Sequence, residues 1–322
     1  MMNQFRVVTL VLVFLSGCST STKQQLVVYS PHGKELLSDY EKQYEQLHPD
    51  VDVQWLDMGS QDAYDRIRTE RENPQSDIWW GAPSTIFAKA ETEGLLEKYT
   101  PSWDTAVGVE SKSADGFWYG TFLTPEVIMY NNRVLSEADA PKDWDELLDP
   151  KWREKIIIRY PLASGTMRVI YSALIQEQQR RTGSVDAGFS WLRRVDANTK
   201  GYAADPTQLY LKIAREEALV TLWNLPDVYL QAKMNGYPFG YVVPKSGTPL
   251  IVDCIAIVKG TRNLPEAQRF YEFVTSKEAL VHQAKEFGRI PARLDISLSE
   301  LPEWIAKLNL KPMNVDWEEL MA

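Results

Sequence analysis

From Leu26 onward, short apolar runs alternate with stretches of helical spacing, and each change of period falls at a proline, glycine or asparagine turn. Leu26 to Tyr29 is a strand, Ser30-Pro31-His32-Gly33 a turn, and Lys34 to Leu47 carries Leu37, Tyr40 and Tyr44 on one helical face. His48-Pro49-Asp50 stops that helix. Val51 to Leu56 alternates as a second strand, and a helix over Gln61 to Glu72 ends at Asn73-Pro74. Asp77 to Trp80 makes a third strand, and Gly81-Ala82-Pro83-Ser84 starts a helix to about Glu91. Repeated βα units of this length predict a mostly parallel sheet covered by helices, with right-handed crossovers.

A second series follows. Tyr99 to Gly116 lacks periodicity and reads as loop, while Phe117 to Tyr119 and Val127 to Tyr130 read as strand segments split at Thr124-Pro125. After the helix-and-turn region Pro141 to Trp152 come a strand at Ile156, a helix from Thr166, another around Gly188 to Arg194, and a strand over Leu219 to Trp223. Asn224-Leu225-Pro226-Asp227 starts a helix to about Met234. Tyr237 to Pro244 and Ile251 to Val258 read as strands, Leu264 to Ser276 as an amphipathic helix, and the rest as helical with a break at Leu301-Pro302.

Two series, connected near Val127–Tyr130 and again near Tyr241–Val252, predict two α/β lobes with two hinge crossovers. Lobe 1 is residues 26–126 plus 250–275, lobe 2 is 127–249, and 276–322 supplies C-terminal helices packing across both. Ligands of open α/β sheets sit beyond the carboxyl ends of strands. One cleft should therefore be ringed by Ser30–Gly33, Gly81–Ser84, Leu162–Thr166 and Asn224–Asp227.

The chain has 322 residues and a formal charge of −9, which argues against a nucleic-acid partner. A small anionic ligand is still compatible, because a local site needs only a few donors. The stretch from Lys155 to Ile170 offers them: an apolar strand breaks at Pro161, and Ser164-Gly165-Thr166 opens a helix. Unpaired backbone N–H groups and the positive end of the helix dipole suit an anion there. The alternative is that Ser164 merely caps the helix. Arg159 and Arg168 flank the turn and could grip an anion bidentately, or instead pair with acidic neighbours.

Other candidates sit at the predicted strand ends. His32 either touches ligand or faces solvent. Trp80, Trp118, Tyr130 and Trp223 fall near the cleft side, some lining it and the rest in the core. Asp77 tunes a strand end. Asn224 and Asp227 bracket a helix start, either as caps or as ligand contacts.

Catalytic signatures are missing: there is no G-x-S-x-G, H-E-x-x-H or G-x-G-x-x-G, and Gly33-Lys34 is followed by Glu35 rather than Ser or Thr. The three histidines, His32, His48 and His282, show no metal-ligand spacing. These features predict a binder rather than an enzyme, with no cofactor and no resident metal.

Residues 1–18 form a thin basic start, an apolar run from Val7 to Leu15, and Leu15-Ser16-Gly17-Cys18, which resembles the lipobox of bacterial lipoproteins. In that resemblance Cys18 becomes the lipidated N-terminus, and residues 19–25 are a polar tether. Cys254, the other cysteine, lies in an apolar strand and reads as an inert buried thiol. No disulfide is expected.

Val27-Val28-Tyr29-Ser30, Ser76-Asp77-Ile78-Trp79-Trp80, Ile128-Met129-Tyr130-Asn131, Ser164-Gly165-Thr166, Asp253 to Val258 and Arg289-Ile290-Pro291-Ala292-Arg293 occur in that order. Together they resemble the extracellular solute-binding proteins of ABC importers, in the group that includes ferric-iron binders. The resemblance implies a type II periplasmic-binding fold whose lobes close over a solute and deliver it to ABC permease subunits. It further implies a monomer held at the periplasmic or extracellular face of a membrane by its lipid anchor. Iron binders of this group use a tyrosine pair, where this chain has Trp223-Asn224-Leu225-Pro226, and a Glu after the third strand, where it has Gly81-Ala82. Only His32 matches, so Fe³⁺ would lack its hard oxygen ligands. The expected solute is therefore a small organic anion such as a phosphonate or sugar phosphate. The alternatives are ferric iron or an iron chelate, an exported enzyme, and a sensory receptor subunit.

Overall fold

The computed structural model describes residues 23–317; the expected signal segment 1–18 with Cys18, most of the expected tether, and residues 318–322 lie outside the described residues. The chain runs β1 (Gln24–Ser30), α1 (Lys34–Leu47), β2 (Val51–Asp57), α2 (Ser60–Thr69), β3 (Ile78–Pro83), α3 (Ser84–Thr92) and β4 (Leu96–Glu97). β1 thus starts within the residues expected to be tether. β1 lies parallel to β2 along its length, from Gln24 opposite Val51 to Ser30 opposite Asp57, and parallel to β3 through Val28 and Ile78. α1 covers this sheet with Leu36, Leu37, Tyr40 and Tyr44, one stripe at helical spacing.

β5 (Tyr119–Asn131) carries the chain out of this sheet, and β6 (Ile156–Arg159), α4 (Gly165–Thr182), α5 (Val185–Asn198), β7 (Thr199–Ala203), α6 (Pro206–Ala214), β8 (Val220–Asn224), α7 (Leu225–Asn235) and β9 (Phe239–Val242) follow. The chain returns through β10 (Leu250–Val258) to α8 (Leu264–Val274), α9 (Lys277–Phe287), β11 (Ile290–Pro291) and the short α10 (Glu303–Ala306). Strand order is β2-β1-β3-β10-β5-β8-β6-β7.

β5 is one strand where two segments were expected. Its first half pairs antiparallel with β10, from Tyr119–Ile255 to Pro125–Leu250, and its second half with β8, from Glu126–Asn224 to Tyr130–Val220. Pro125 sits where the partner changes, so its missing N–H removes little from either ladder. The Glu126 N–H bonds Pro249 O at 3.0 Å, and Thr248 Oγ1 donates to Glu126 O. The two lobes of this mixed α/β fold are therefore connected at Pro125-Glu126 and at Thr248-Pro249, with a cleft between them.

Each lobe has its own core. The second is built on Ile128, Ile156, Ile158, Val220 and Leu222, with Trp144, Trp152 and Trp191 around them. The first lobe buries both sheet faces, and adjacent residues of β3 divide between them by strand alternation. Trp79 stacks on Phe87 at 4.0 Å, whereas Trp80 meets Tyr40 edge-on at 5.5 Å. Cys254 is fully buried on the Trp79 side, and burial pushes its thiol pKa up, as an inert cysteine requires.

Two stretches depart from the sequence reading. β7 and α6 were not anticipated, although Asp205 caps α6 by accepting from Gln208 N at 2.8 Å and Pro206 starts it. Beyond Phe287 the described chain is mostly irregular, because α9 ends at Gly288 in the left-handed region and the prolines at 291, 302 and 312 prevent a long helix. Of the expected C-terminal segment 276–322, the described part, 276–317, also divides. Ala279, Leu280 and Phe287 of α9 pack into the first lobe, Trp304 and Leu308 contact both the second core and a small cluster around Ile290, and Val315 and Trp317 lie on the second lobe.

Candidate functional site

A cavity of about 510 Å³ lies between the lobes, a size suited to a small molecule. The loop after β1 supplies Pro31 to Glu35, and the loop after β2 supplies Asp57 to Ser60. Opposite them stand Ala163 to Thr166 at the start of α4, Asp205 to Thr207 at the start of α6, and Asn224 and Asp227 at the start of α7. Thr124, Ile251, Asp253 and Arg289 line it near the crossover strands.

The turn after β6 satisfies both readings of Ser164. Its side chain accepts from Met167 N at 3.2 Å and so caps α4. The next two amides, Gly165 N–H and Thr166 N–H, have no acceptor among the described residues, and both residues line the cavity. First-turn amides lack intrahelical partners by geometry, and here they stand on a wall that a solute can reach. Arg159 lines the same wall, with Nη1 3.3 Å from Ala203 O.

Seven of the ten residues expected to bind ligand line this one cavity: His32, Ser164, Gly165, Thr166, Trp223, Asn224 and Asp227. The other three do not. Trp80 is completely buried in the first core, because the alternation of β3 turns it toward Tyr40 and away from the cleft. Tyr130 is at the far end of β5, buried in the second core with its ring over Gly240. Arg168 reaches the other lobe instead of the cavity: Nη1 donates to Gln61 Oε1 at 2.7 Å, and Nη2 to Leu162 O. Trp118 is also remote, bonded through Nε1 to Glu91.

His32 lines the cavity with its ring tucked inward, edge-on to Trp80 at 5.5 Å and to Phe122 at 5.2 Å. Burial, with Arg289 adding, holds its pKa well below the ordinary value, so it is neutral. A β-carbon at Gly81 would stand 2.5 Å from His32 Nε2, so only glycine leaves room for the ring. A chain of bonds then fixes Asp227. Trp223 Nε1 donates to Tyr210 Oη at 3.0 Å, Tyr210 donates to Asp227 Oδ2 at 3.0 Å, and Asn224 Nδ2 donates to the same oxygen at 2.9 Å.

The residue that sequence reasoning missed is Arg289. It is only 7% exposed, yet it lines the cavity, with Nη1 3.5 Å from Asp227 Oδ1, Nη2 3.4 Å from His32 O, and Nε without an acceptor. A buried guanidinium with two long bonds and a free donor is under-satisfied. Its one sequence signal was the Arg289-Ile290-Pro291 run. In all, Lys34, Arg159 and Arg289 face Glu35, Asp57, Asp62, Asp205, Asp227 and Asp253 around the cavity.

Residues 39–312 match the family of bacterial extracellular solute-binding proteins. The chain belongs to that family. A Sinorhizobium fredii protein named as an ABC transporter periplasmic-binding protein is 28% identical to this solute-binding protein over 299 residues, covering 92% of this chain and 82% of that one. A Salmonella typhimurium protein named for 2-aminoethylphosphonate binding is 26% identical over 257 residues, 78% of this chain and 72% of its own length. Among solved structures, the periplasmic binding protein AfuA of Actinobacillus pleuropneumoniae, with fructose 6-phosphate bound, has a TM-score of 0.79 at 26% identity. That match spans 93% of this chain and 94% of that one. The family consists of solute binders that work with ABC permeases and not of enzymes. Among the described residues of this solute-binding protein, no helix is long and apolar enough to cross a membrane, and no three His, Cys, Asp or Glu side chains are grouped to hold a metal.

Proposed function

We propose that this solute-binding protein captures a small organic anion, of the phosphonate or sugar phosphate class, for import. The observation that carries the reading is the start of α4: two unpaired amides, beside Arg159, line the interlobe cavity. A phosphoryl-type group has enough acceptors to take both amides and a guanidinium at once. The names of the Salmonella typhimurium relative and of the AfuA complex point to the same class of solute. Ferric iron fits less well. Tyr210 is the one tyrosine on the cavity wall among the described residues, burial holds its hydroxyl pKa well above the ordinary value, and that hydroxyl is already bonded to Asp227. A phenolate ligand is therefore not at hand.

In this reading the solute bridges residues 26–126 plus 250–275 on one side and 127–249 on the other, and favours the closed form by that differential contact. The protein acts as a monomer, is tethered to a membrane through a lipid on Cys18, and hands its cargo to permease subunits. Thermal-shift and calorimetric titration with inorganic phosphate, phosphonates, fructose 6-phosphate and Fe³⁺ test the reading. Ligand at about 100 times its Kd should stabilise the fold by ~2.7 kcal/mol, and Thr166→Trp should remove that shift without unfolding the protein. A response to Fe³⁺ and to none of the anions would sink it.

A further inference from the structure

Two carboxyl groups, Asp227 and Asp253, line the cavity with the Arg289 guanidinium, and a third, Glu126, is buried off the cavity wall within reach of their charges. Asp253 faces the cavity from β10; Thr124 Oγ1 donates to its Oδ2 at 2.5 Å, and its Oδ1 takes no hydrogen bond among the described residues. Asp227 Oδ2 is held by Tyr210 and Asn224, whereas its Oδ1 has only Arg289 Nη1, at 3.5 Å. Glu126 lies two residues from Thr124 on β5, so strand alternation turns both side chains to the same face. It is completely buried, and neither of its carboxyl oxygens meets a partner. Buried carboxyl groups without a protein donor are rare because each forfeits its hydration.

The imbalance extends over the whole site, where six carboxylates oppose three permanent cations. An anion alone at α4 would add to that excess. Hydroxyl groups could donate to the open oxygens but would leave the charge uncompensated. The carboxyl groups already oppose one another: burial first, then the charges of Asp253 and Asp227, raise the Glu126 pKa, and Asp227 adds to burial in raising that of Asp253.

From this geometry we infer that the solute carries a protonated nitrogen in the same small molecule as its anionic group, with the cation seated against Asp253 Oδ1 and Asp227 Oδ1 and the anion at the start of α4. The inference rests on the anionic-solute reading and narrows it to zwitterions. Sugar phosphates without nitrogen then become poor ligands.

Calorimetric titration of the protein with 2-aminoethylphosphonate, 2-hydroxyethylphosphonate, ethylphosphonate, fructose 6-phosphate and inorganic phosphate tests it. The amine should bind at least about tenfold tighter than its hydroxyl and alkyl counterparts, as a desolvated charge pair allows. Asp253→Asn should erase that advantage. Asp227→Asn, which removes the other charge of the proposed seat, should reduce it and serves as the second variant if Asp253→Asn fails to fold. Equal affinity for the amine and ethylphosphonate, or tighter binding of fructose 6-phosphate, overturns the inference and leaves the anionic reading standing. If no phosphonate, phosphate ester or inorganic phosphate binds, both fall.

Discussion

Gly165 of the second lobe lies against Ser60 of the first: a β-carbon at position 165 would stand 3.3 Å from Ser60 Cβ and 3.5 Å from Pro83 Cδ. Backbone of the turn that opens α4 and the start of α2 are thus in near contact across the cleft. A larger side chain at 165 would have to fit between the two lobes.

Replacing Gly165 with leucine should prop the lobes apart. Overpacking of a close contact typically costs about 1–3 kcal/mol, and most of it can be relieved by opening. Ligand affinity should fall about tenfold or more while the melting temperature of the free protein stays near the parent value. Small-angle scattering with saturating ligand should show a larger radius of gyration than for the parent. Unchanged compaction and affinity would show that the contact does not govern closure.

Arg168 should behave as a latch and not as a ligand group. Its bond to Gln61, at 2.7 Å, is the charged hydrogen bond between α4 and α2. Such bonds contribute about 1.5–3 kcal/mol when well formed, so Arg168→Met should weaken solute binding about tenfold by disfavouring the closed form. Gln61→Ala should weaken it similarly, and the double variant should be little worse than either. Additive losses would instead place Arg168 on the solute.

Glu126 gives a pH dependence with a definite sign. Burial, helped by Asp253 and Asp227, holds its pKa well above the ordinary 4.5, so the folded chain keeps a proton that the unfolded chain releases above that value. Stability is therefore lost at this site as pH rises from 4.5 toward the folded pKa. Glu126→Gln, measured without ligand, should match the parent in melting temperature near pH 4 and exceed it by a few degrees near pH 8, at roughly 2–4 °C per kcal/mol. A gap that is constant with pH would mean that Glu126 is not the titrating group.

Trp80 should matter for stability only. Trp80→Ala removes a completely buried indole and should cost about 3–5 kcal/mol, read by denaturant unfolding, while Trp80→Phe should retain the parent Kd. Loss of affinity in the phenylalanine variant would return Trp80 to the cleft.

The positions of Trp80 and Tyr130 show where sequence reasoning stops. The period of β3 was legible, and so was the turn that follows it, but an apolar run of Ile78-Trp79-Trp80 buried on both faces does not say which indole turns inward. Tyr130 reads as a cleft residue only if its strand begins at Val127. The real strand begins at Tyr119, which moves Tyr130 to its distal end. Ser164, Thr166, Asn224 and Asp227 were easier, since helix starts announce themselves through Ser, Thr, Asn and Asp. Arg289 and Asp253 lie outside any such start. They reach the cavity through the return strand and the turn after α9, contacts that only the assembled lobes create.

The sharing of β5 between both sheets restricts how this chain can change in length. Removing one residue between Tyr119 and Asn131 would reverse the facing of every side chain on one side of the cut, taking Phe122 out of one core or Ile128 out of the other. No local repair could restore both registers, since β10 and β8 grip opposite halves of the same strand. Insertions and deletions should accumulate in surface stretches such as 99–116, and this thirteen-residue strand should keep its length wherever the two halves still have to work as one.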